Sequence, residues 1–600
     1  MANKRENYNN NNANSENSRV KKIHSENKIY AVNGKKKDYF GYSVSIYESN
    51  LIVGAYSAGP FVSYSGAVYA FQQNYSESRN RTVWNQIGVL IGAEVQSFDN
   101  FGGTTSMWGS TALVGAYLDD SLGTSAGAAY IFELSHDKRW RQKQRLLASD
   151  GSSGDFFSYS VSINRNVSVL GAHGWATRGN LIGAAYIFEY HTSNHMWTET
   201  AKIIPTDSQE FQMFGYAVSV YESVVLVGAY GDRASGTNTG AGYIFFAHKY
   251  YSPAPAPTGN GTNAESDPVY IEETEWLQTS KLYAADPEPH SYFGMSVALD
   301  GIWLRTPNPL DATYIAIIGA YMAHGMEASS GAAYIFQSTA RMVGDSVVHT
   351  WSQTAKLIAA DGRMNDFFGG SLAIQNGVVL IGSKEDSSRH TGAGSAYFFA
   401  ASRLDIPGQW SFQSKITAND SAAYDDFGVS VSFYGDVAIV GADRGYGAVE
   451  GSGCAYIYAP SRYSRAPHIG STRVMVYQEH KFLLLLTVLP VALLSLPLLT
   501  CFCLWYVKYK VFRSGNGKGK DQLCMPLGQD STHSMGNTGL SVDGSYHSGD
   551  VVGPGWARAG VGASGAGAGY LGGALPLSQH GLIVGQRELH EVRPCPCPCP

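Results

Sequence analysis

At 600 residues the chain is too long for one ordinary hydrophobic core, so a repeat array or several domains is expected. A net charge of −6 leaves no basic footprint for nucleic acid. Gly at 68 and Tyr at 38 fit many short strands joined by tight turns.

Residues 1–22, MANKRENYNNNNANSENSRVKK, are polar and predict a disordered segment without the apolar h-region of a secretory signal. Residues 23–460 repeat one unit. A Phe-Gly opens a strand-like run at Phe40, Phe101, Phe214, Phe293, Phe368 and Phe427, and Phe157-Ser158 stands in the third copy. A Gly-Ala follows 14 residues later in most copies, at Gly54, Gly115, Gly171, Gly228 and Gly441, with Gly382-Ser383 in the sixth. The fifth copy reaches Gly319 only after an insertion, IWLRTPNPLDAT. A GAAYIF-like strand then starts at Gly66, Gly127, Gly183, Gly240, Gly331, Gly394 or Gly453. Segments such as WSQTAKL follow at Trp84, Trp140, Trp197, Trp276, Trp351 and Trp410.

Within each copy apolar and polar residues alternate, the period-two pattern of a hairpin. Four short strands cannot bury both faces alone, but seven such sheets arranged radially can, so a seven-bladed β-propeller is expected. The glycines suit backbones crowded near the axis. Seven Phe-Gly units but six Trp segments leave one outer strand missing. IHSENKIYA (Ile23–Ala31) aligns with WLQTSKLYA (Trp276–Ala284), so it should close the last blade against GCAYIY (Gly453–Tyr458). SPAPAPTGNGTNAESD, 252–267, predicts a flexible excursion between strands.

Residues 461–481 form a juxtamembrane linker. The next run, 482–507, has 26 residues without charge, enough for one transmembrane helix. Lys508, Lys510, Arg513, Lys518 and Lys520 follow it, against Arg473 and Lys481 before it. The positive-inside rule then places the C-terminus in the cytoplasm and the propeller outside, at the cell surface. With no h-region, either the start is misassigned or truncated or this topology is wrong. The Gly/Ser/Ala-rich tail, 508–600, should be disordered.

The Phe-Gly and Gly-Ala anchors resemble FG-GAP repeats, the units of the propeller at the N-terminus of integrin α chains and of many microbial surface proteins. The resemblance implies an all-β propeller over 23–460 that binds ligand through one face. Integrin propellers carry DxDxDG calcium loops between the Phe-Gly and Gly-Ala strands. Here those connections are YES, WGS, NRN and YGD, too short and too poor in carboxylates for calcium. No cofactor is therefore expected, calcium being the one candidate. KYKVFR after the span lacks the GFFKR-type motif, so an integrin β-type partner is not supported. Cys454 alone precedes the span and occupies an Ala slot, which predicts a buried, inert thiol.

Acidic residues recur seven and two residues upstream of the Phe in most copies, with Asn33 at the first position in copy one and Gln212 and Ser291 at the second in copies four and five. The acids include Asp150 with Asp155, Asp361 with Asp366, and Asp420 with Asp425. Turn chemistry accounts for them, since Asp accepts backbone N–H bonds in linkers. A ring of carboxylate pairs holding cations is the alternative. Strand parity puts these linkers on the same face as the loops after each Gly-Ala, the upper face. The residues after Gly-Ala are Tyr56, Tyr117, His173, Tyr230, Tyr321, Lys384 and Asp443. As a rim they suit protein or carbohydrate ligands; packing is the competing reading. Candidate glycosylation sites are Asn74, Asn80, Asn166, Asn260 and Asn419, the first four on the lower face.

No catalytic set stands out: the histidines are scattered and no HExxH occurs, so an enzyme is not expected. The expectation is a single-pass surface glycoprotein whose propeller binds protein or carbohydrate in adhesion or recognition. The alternative is a non-receptor scaffold with the propeller in the cytosol or an organelle lumen.

Overall fold

The computed structural model describes residues 23–460, apart from residue 61 and residues 77–80, 178–179, 254–269, 304–311, 345 and 404–407. The expected span, linker, tail and N-terminal segment lie outside the described residues. Among those described, no helix is long and apolar enough to cross a membrane.

Seven four-stranded antiparallel sheets form the blades of a propeller. Blade 1 holds β2 (Phe40–Tyr47), β3 (Asn50–Ala55), β4 (Ala67–Ser76) and β5 (Arg81–Leu90). Blade 2 holds β6 (Thr104–Trp108), β7 (Thr111–Ala116), β8 (Ala128–Leu134) and β9 (Trp140–Leu146). Blade 3 holds β10 (Ser160–Asn164), β11 (Val167–Ala172), β14 (Ala184–His191) and β15 (Met196–Ile203), with a small hairpin of β12 (Ala176–Thr177) and β13 (Asn180–Leu181) in its upper loop. Blade 4 holds β16 (Phe214–Tyr221), β17 (Val224–Ala229), β18 (Ala241–Pro253) and β19 (Tyr270–Leu282). Blade 5 holds β20 (Ser296–Trp303), β21 (Ala312–Ala320), β22 (Ala332–Val343) and β23 (Ser346–Leu357). Blade 6 holds β24 (Ser371–Gln375), β25 (Val378–Ser383), β26 (Ser395–Ala401) and β27 (Trp410–Ile416). Blade 7 joins β28 (Val431–Tyr434), β29 (Val437–Ala442) and β30 (Cys454–Pro460) to β1 (Ile23–Ile29), the first strand of the chain. That is the closure the missing Trp segment predicts. The expected excursion starts later than Ser252, because β18 continues through Pro253 to pair with Tyr270; the rest of it lies outside the described residues.

Each Phe-Gly phenylalanine is shielded from solvent and meets an aromatic of the third strand edge-on. Phe101 and Tyr130 have ring centroids 5.4 Å apart, and Phe293 and Tyr334 repeat the distance. Its backbone reaches back to the preceding blade. Phe101 N–H donates to Ser65 O at 3.0 Å, and Phe40 N–H to Ser452 O at 3.1 Å across the closure. Backbones touch here, which explains the glycines: a Cβ on Gly54 would stand 2.0 Å from Gly102 O.

A hydroxyl clasp reinforces the same seam. Ser43 donates to Gly102 O at 2.9 Å, Thr104 to Ser158 O at 2.8 Å and Ser160 to Gly215 O at 2.9 Å. Ser296, Ser371 and Ser430 continue the series onto Gly369, Gly428 and Gly41. Blade 4 has Ala217 at this position and so lacks the bond to Gly294 O. Ala217→Ser should restore it and stabilise the protein by about 1 kcal/mol. A raised denaturant midpoint at unchanged slope is the expected reading.

Candidate functional site

The linkers between blades shape the upper end. Each carries two residues in the left-handed backbone region, one directly before the Phe and one three residues before it. The nearer positions are Tyr39, Asn100, Phe156, Met213, Tyr292, Phe367 and Asp426. The farther ones include Lys37, Phe98, Phe211, His290, Asn365 and Tyr424. Between them sits the second acid of the motif. Asp155, Asp366 and Asp425 accept backbone N–H bonds from Ser152, Arg363 and Ala422 at 2.8, 2.7 and 2.6 Å. These are the turn bonds that Asp supplies in such linkers.

The first acid of each pair is held elsewhere. Asp150 accepts from Tyr186 and Lys202 at 2.8 and 2.6 Å, Asp361 from Tyr397 and Lys415 at 3.1 and 2.7 Å, and Asp420 from Tyr456 and Lys28 at 2.8 and 2.7 Å. The two carboxylates of a linker are therefore not brought onto one centre. Among the described residues no group of three His, Cys, Asp or Glu side chains is arranged to hold a metal.

Blades 2, 4 and 6 add an acid that the sequence reading missed. Asp119, Asp232 and Asp386 are buried three residues after the Gly-Ala or Gly-Ser alanine or serine position and pair with Arg145, Lys281 and Lys415. Their signal is an aspartate at one offset in alternate copies. Cys454 is buried as expected, its thiol pushed up to about 12, chiefly by burial.

The residues after Gly-Ala do not form an outer rim. They turn toward the axis: Tyr117, Tyr321, Lys384 and Asp443 are buried, while Tyr56, His173 and Tyr230 are half-buried. Six of the blades supply an aromatic belt there. Tyr56 stacks on Tyr39 at 4.9 Å and meets Tyr42 edge-on at 4.6 Å. Tyr117 meets Tyr159, which reaches His173 at 4.3 Å and Tyr216 at 4.9 Å. Tyr216 contacts Tyr230, Tyr230 contacts Tyr292, and Tyr292 stacks on Tyr321, which meets Phe367. Burial raises the Tyr42 and Tyr216 hydroxyls far above the ordinary tyrosine value and lowers His173 to about 4, so the imidazole is neutral. Tyr39, Tyr42, Tyr159, Tyr216 and Tyr292 also escaped the sequence reading; they flank the Phe-Gly anchors.

The belt turns charged at blades 6 and 7. Lys384 lies 3.4 Å from Glu385 and 3.9 Å from Asp426, and Arg444 lies 3.3 Å from Asp426. Asp426 and Asp443 take the positions that Tyr39 and Tyr56 hold in blade 1. Each keeps one buried carboxylate oxygen without a hydrogen-bond partner among the described residues. Burial raises both, Asp426 to about 7 and Asp443 to about 6, and the Asp443 charge is the next contribution to Asp426. Carboxyls raised in the folded state favour folding fully below the ordinary aspartate value, and this contribution is lost as pH rises through 6 to 7. Wild-type protein should therefore lose thermal stability between pH 5 and pH 8. Asp443→Asn should lose less over the same interval, with melting temperatures at the two pH values as the check. Part of the slope should persist, since Asp300, Asp99 and Asp366 are also raised by burial.

Of the glycosylation candidates, Asn166 is exposed in the β10–β11 turn of the lower end, and Asn74 is half-buried near the lower end of β4. Asn419 is exposed on an upper linker, and Asn80 and Asn260 lie outside the described residues.

Comparison with known proteins follows the same architecture. The FG-GAP repeat family matches residues 24–71, 84–132, 140–188, 197–245, 351–399 and 410–458. Each match runs from an outer strand into the next three strands. The unmatched unit is the one lengthened between β20 and β21. No curated protein matches the chain. Among solved structures, the crystal structure of Saccharomyces cerevisiae Sqt1 aligns over 71% of this chain and 98% of that one, at 10% identity and a TM-score of 0.37. Six matched repeats, and a seventh blade built to the same plan, make the chain a member of the FG-GAP repeat family, with a propeller that resembles that of integrin α chains.

Proposed function

We infer that the propeller is the extracellular binding module of a single-pass membrane protein and holds a protein or carbohydrate ligand on its upper face, in adhesion or recognition. The observation that carries this reading is a set of exposed aromatics on left-handed backbone at that face. Phe98 is 64% exposed and stacks at 5.5 Å on Tyr64, 54% exposed; Tyr424 is 57% exposed and Phe211 41%. All four have positive φ, where Asn and Gly sit at lower cost. Corresponding positions of other blades use Asn365, Gly154, Ser329 and Gly451. Exposed aromatic groups of this kind mark interaction surfaces. The belt is buried or half-buried and leaves the contact to these exposed groups; its half-buried Tyr39–Tyr56 end is the exception.

Two measurements test the reading. A tag inserted within 254–267 should stain intact cells; staining only after permeabilisation would remove the surface assignment. Cells displaying the full chain should capture ligands from arrays of glycans and surface proteins. Tyr64→Ser with Phe98→Ser should reduce that capture at least tenfold without lowering the melting temperature. Capture unchanged by the substitutions would remove the upper-face assignment.

A further inference from the structure

The linker that enters blade 1 differs from the other six. Its three residues after Gly34 are Lys35, Lys36 and Lys37, all exposed. The corresponding residues elsewhere are Gln96-Ser97-Phe98, Ser152-Ser153-Gly154, Gln209-Glu210-Phe211, Glu288-Pro289-His290, Arg363-Met364-Asn365 and Ala422-Ala423-Tyr424. Only this linker concentrates positive charge, on a chain whose net charge is −6.

Seven other lysines of the propeller, Lys28, Lys143, Lys202, Lys281, Lys356, Lys384 and Lys415, each pair with a carboxylate. Among the described residues, the side chains of Lys35, Lys36 and Lys37 make no ion pair. The nearest acid in sequence, Asp38, is buried and accepts the Lys35 backbone N–H at 2.7 Å; it feels the Lys35 charge without forming an ion pair. The linker is fastened to the upper loop of blade 7: Lys37 N–H donates to Gly451 O at 2.7 Å, and a Cβ on Gly451 would lie 3.7 Å from the Lys36 side chain. That loop also brings Arg444, half-exposed, which is paired with Asp426 at 3.3 Å. Its exposed acid, Glu450, makes no ion pair with the three lysines among the described residues. Three lysines outside any ion pair thus crowd one linker, fastened by a backbone bond to blade 7 and followed by Tyr39 of the stacked Tyr39–Tyr56 pair.

We propose that the seam between blades 7 and 1 docks an acidic glycan, a sugar chain bearing sulfate or carboxylate groups. This deepens the ligand-binding reading and rests on it. Ammonium groups outside any ion pair attract anionic groups spaced along a chain, and a flat tyrosine face takes the C–H face of a sugar ring. An anionic membrane needs cations on a surface that lies flat against it. Here the cations crowd three successive positions of one linker next to one stacked tyrosine pair, which fits a single chain better.

Heparin, a sulfated glycan, is the probe, with the detergent-solubilised full chain as analyte. Binding is expected at 0.15 M salt (~8 Å screening length) and should weaken as salt rises toward about 1 M. The triple variant Lys35→Ser, Lys36→Ser, Lys37→Ser should bind at least tenfold more weakly with an unchanged melting temperature, because the backbone bonds of the linker persist. Lys138→Ser with Lys143→Ser on blade 2 removes cations elsewhere and should bind as wild type. Equal loss in both variants, or no loss in the triple variant, would overturn the proposal. So would capture by phosphatidylserine vesicles without heparin binding, which assigns the seam to a membrane. If heparin fails while Tyr64→Ser with Phe98→Ser still abolishes capture from the arrays, only the seam proposal fails. If the arrays also capture nothing, the broader ligand reading fails with it.

Discussion

Deleting residues 1–31 is expected to abolish cooperative folding of the propeller. The ring closes through a single strand, β1, whose Glu26 to Ile29 pair with Tyr458 to Ala455 of β30. Ile29 is buried in the core shared by blades 7 and 1, with Ala455 and Ile457. Exposing that side chain alone costs about 1.5–3 kcal/mol. Lys28 would leave Asp420 with only Tyr456, and Glu26 would no longer accept from Tyr458 at 3.2 Å. The larger loss is topological. Cys454 to Tyr458 are buried, so removing β1 turns an interior apolar strand into an open edge, a template for aggregation. The deletion variant should elute as aggregate on size exclusion and lack a sharp thermal transition. A variant lacking only residues 1–22 keeps β1 intact and serves as the reference. A cooperative transition at the wild-type midpoint in the longer deletion would refute closure by β1.

Lys281→Met should cost about 3–5 kcal/mol, the range for removing one partner of a buried ion pair. Lys281 Nζ lies 2.8 Å from Asp232 and also pairs with Asp207. Asp232 has no exposed surface and further accepts from Gln212 and Tyr243, each at 2.7 Å. Burial acts to pull Lys281 down and Asp232 up. Their pairing reverses both, so Lys281 is held above the ordinary lysine value and Asp232 below the ordinary aspartate value. Methionine preserves the apolar stem and strands the charge. Lys281→Met with Asp232→Asn removes that charge and should recover most of the loss. Lys143→Met, which breaks the exposed pair with Glu133 at 3.1 Å, should change stability by no more than about 1 kcal/mol. Chemical denaturation of the three variants checks the order; equal effects for Lys281 and Lys143 would contradict the burial argument.

The propeller itself was legible in the residues because its determinants repeat and act locally. Period-two alternation marks strands wherever they fall, and the Phe-Gly and Gly-Ala glycines recur because each blade presents the same backbone contact to the next. Counting Trp segments against Phe-Gly units sufficed to assign Ile23–Ile29 to blade 7, because a closed ring needs as many outer strands as blades. The second acid of the linkers that carry one was readable for the same reason: Asp155, Asp366 and Asp425 answer to N–H groups three residues away.

What escaped the sequence reading depends on neighbours distant along the chain. Strand parity puts Tyr56, Tyr117 and Tyr321 at the upper end but does not say whether they face solvent or the axis. That is decided by Tyr39, Tyr42, Tyr159 and Tyr292, which meet them only when seven blades close. Asp232 is buried rather than solvated because Lys281 arrives from β19, about 50 residues later, to neutralise it. Phe98 is held in place by Tyr64 of the loop ending at Gly66, a neighbour more than thirty residues earlier, yet stays exposed. Sequence alone determined the strands, the repeat count and the closure, through local periodicity and backbone sterics. Only the tertiary structure decided which side chains meet at the axis and which remain free at the seam, because burial and charge pairing are properties of the assembled ring.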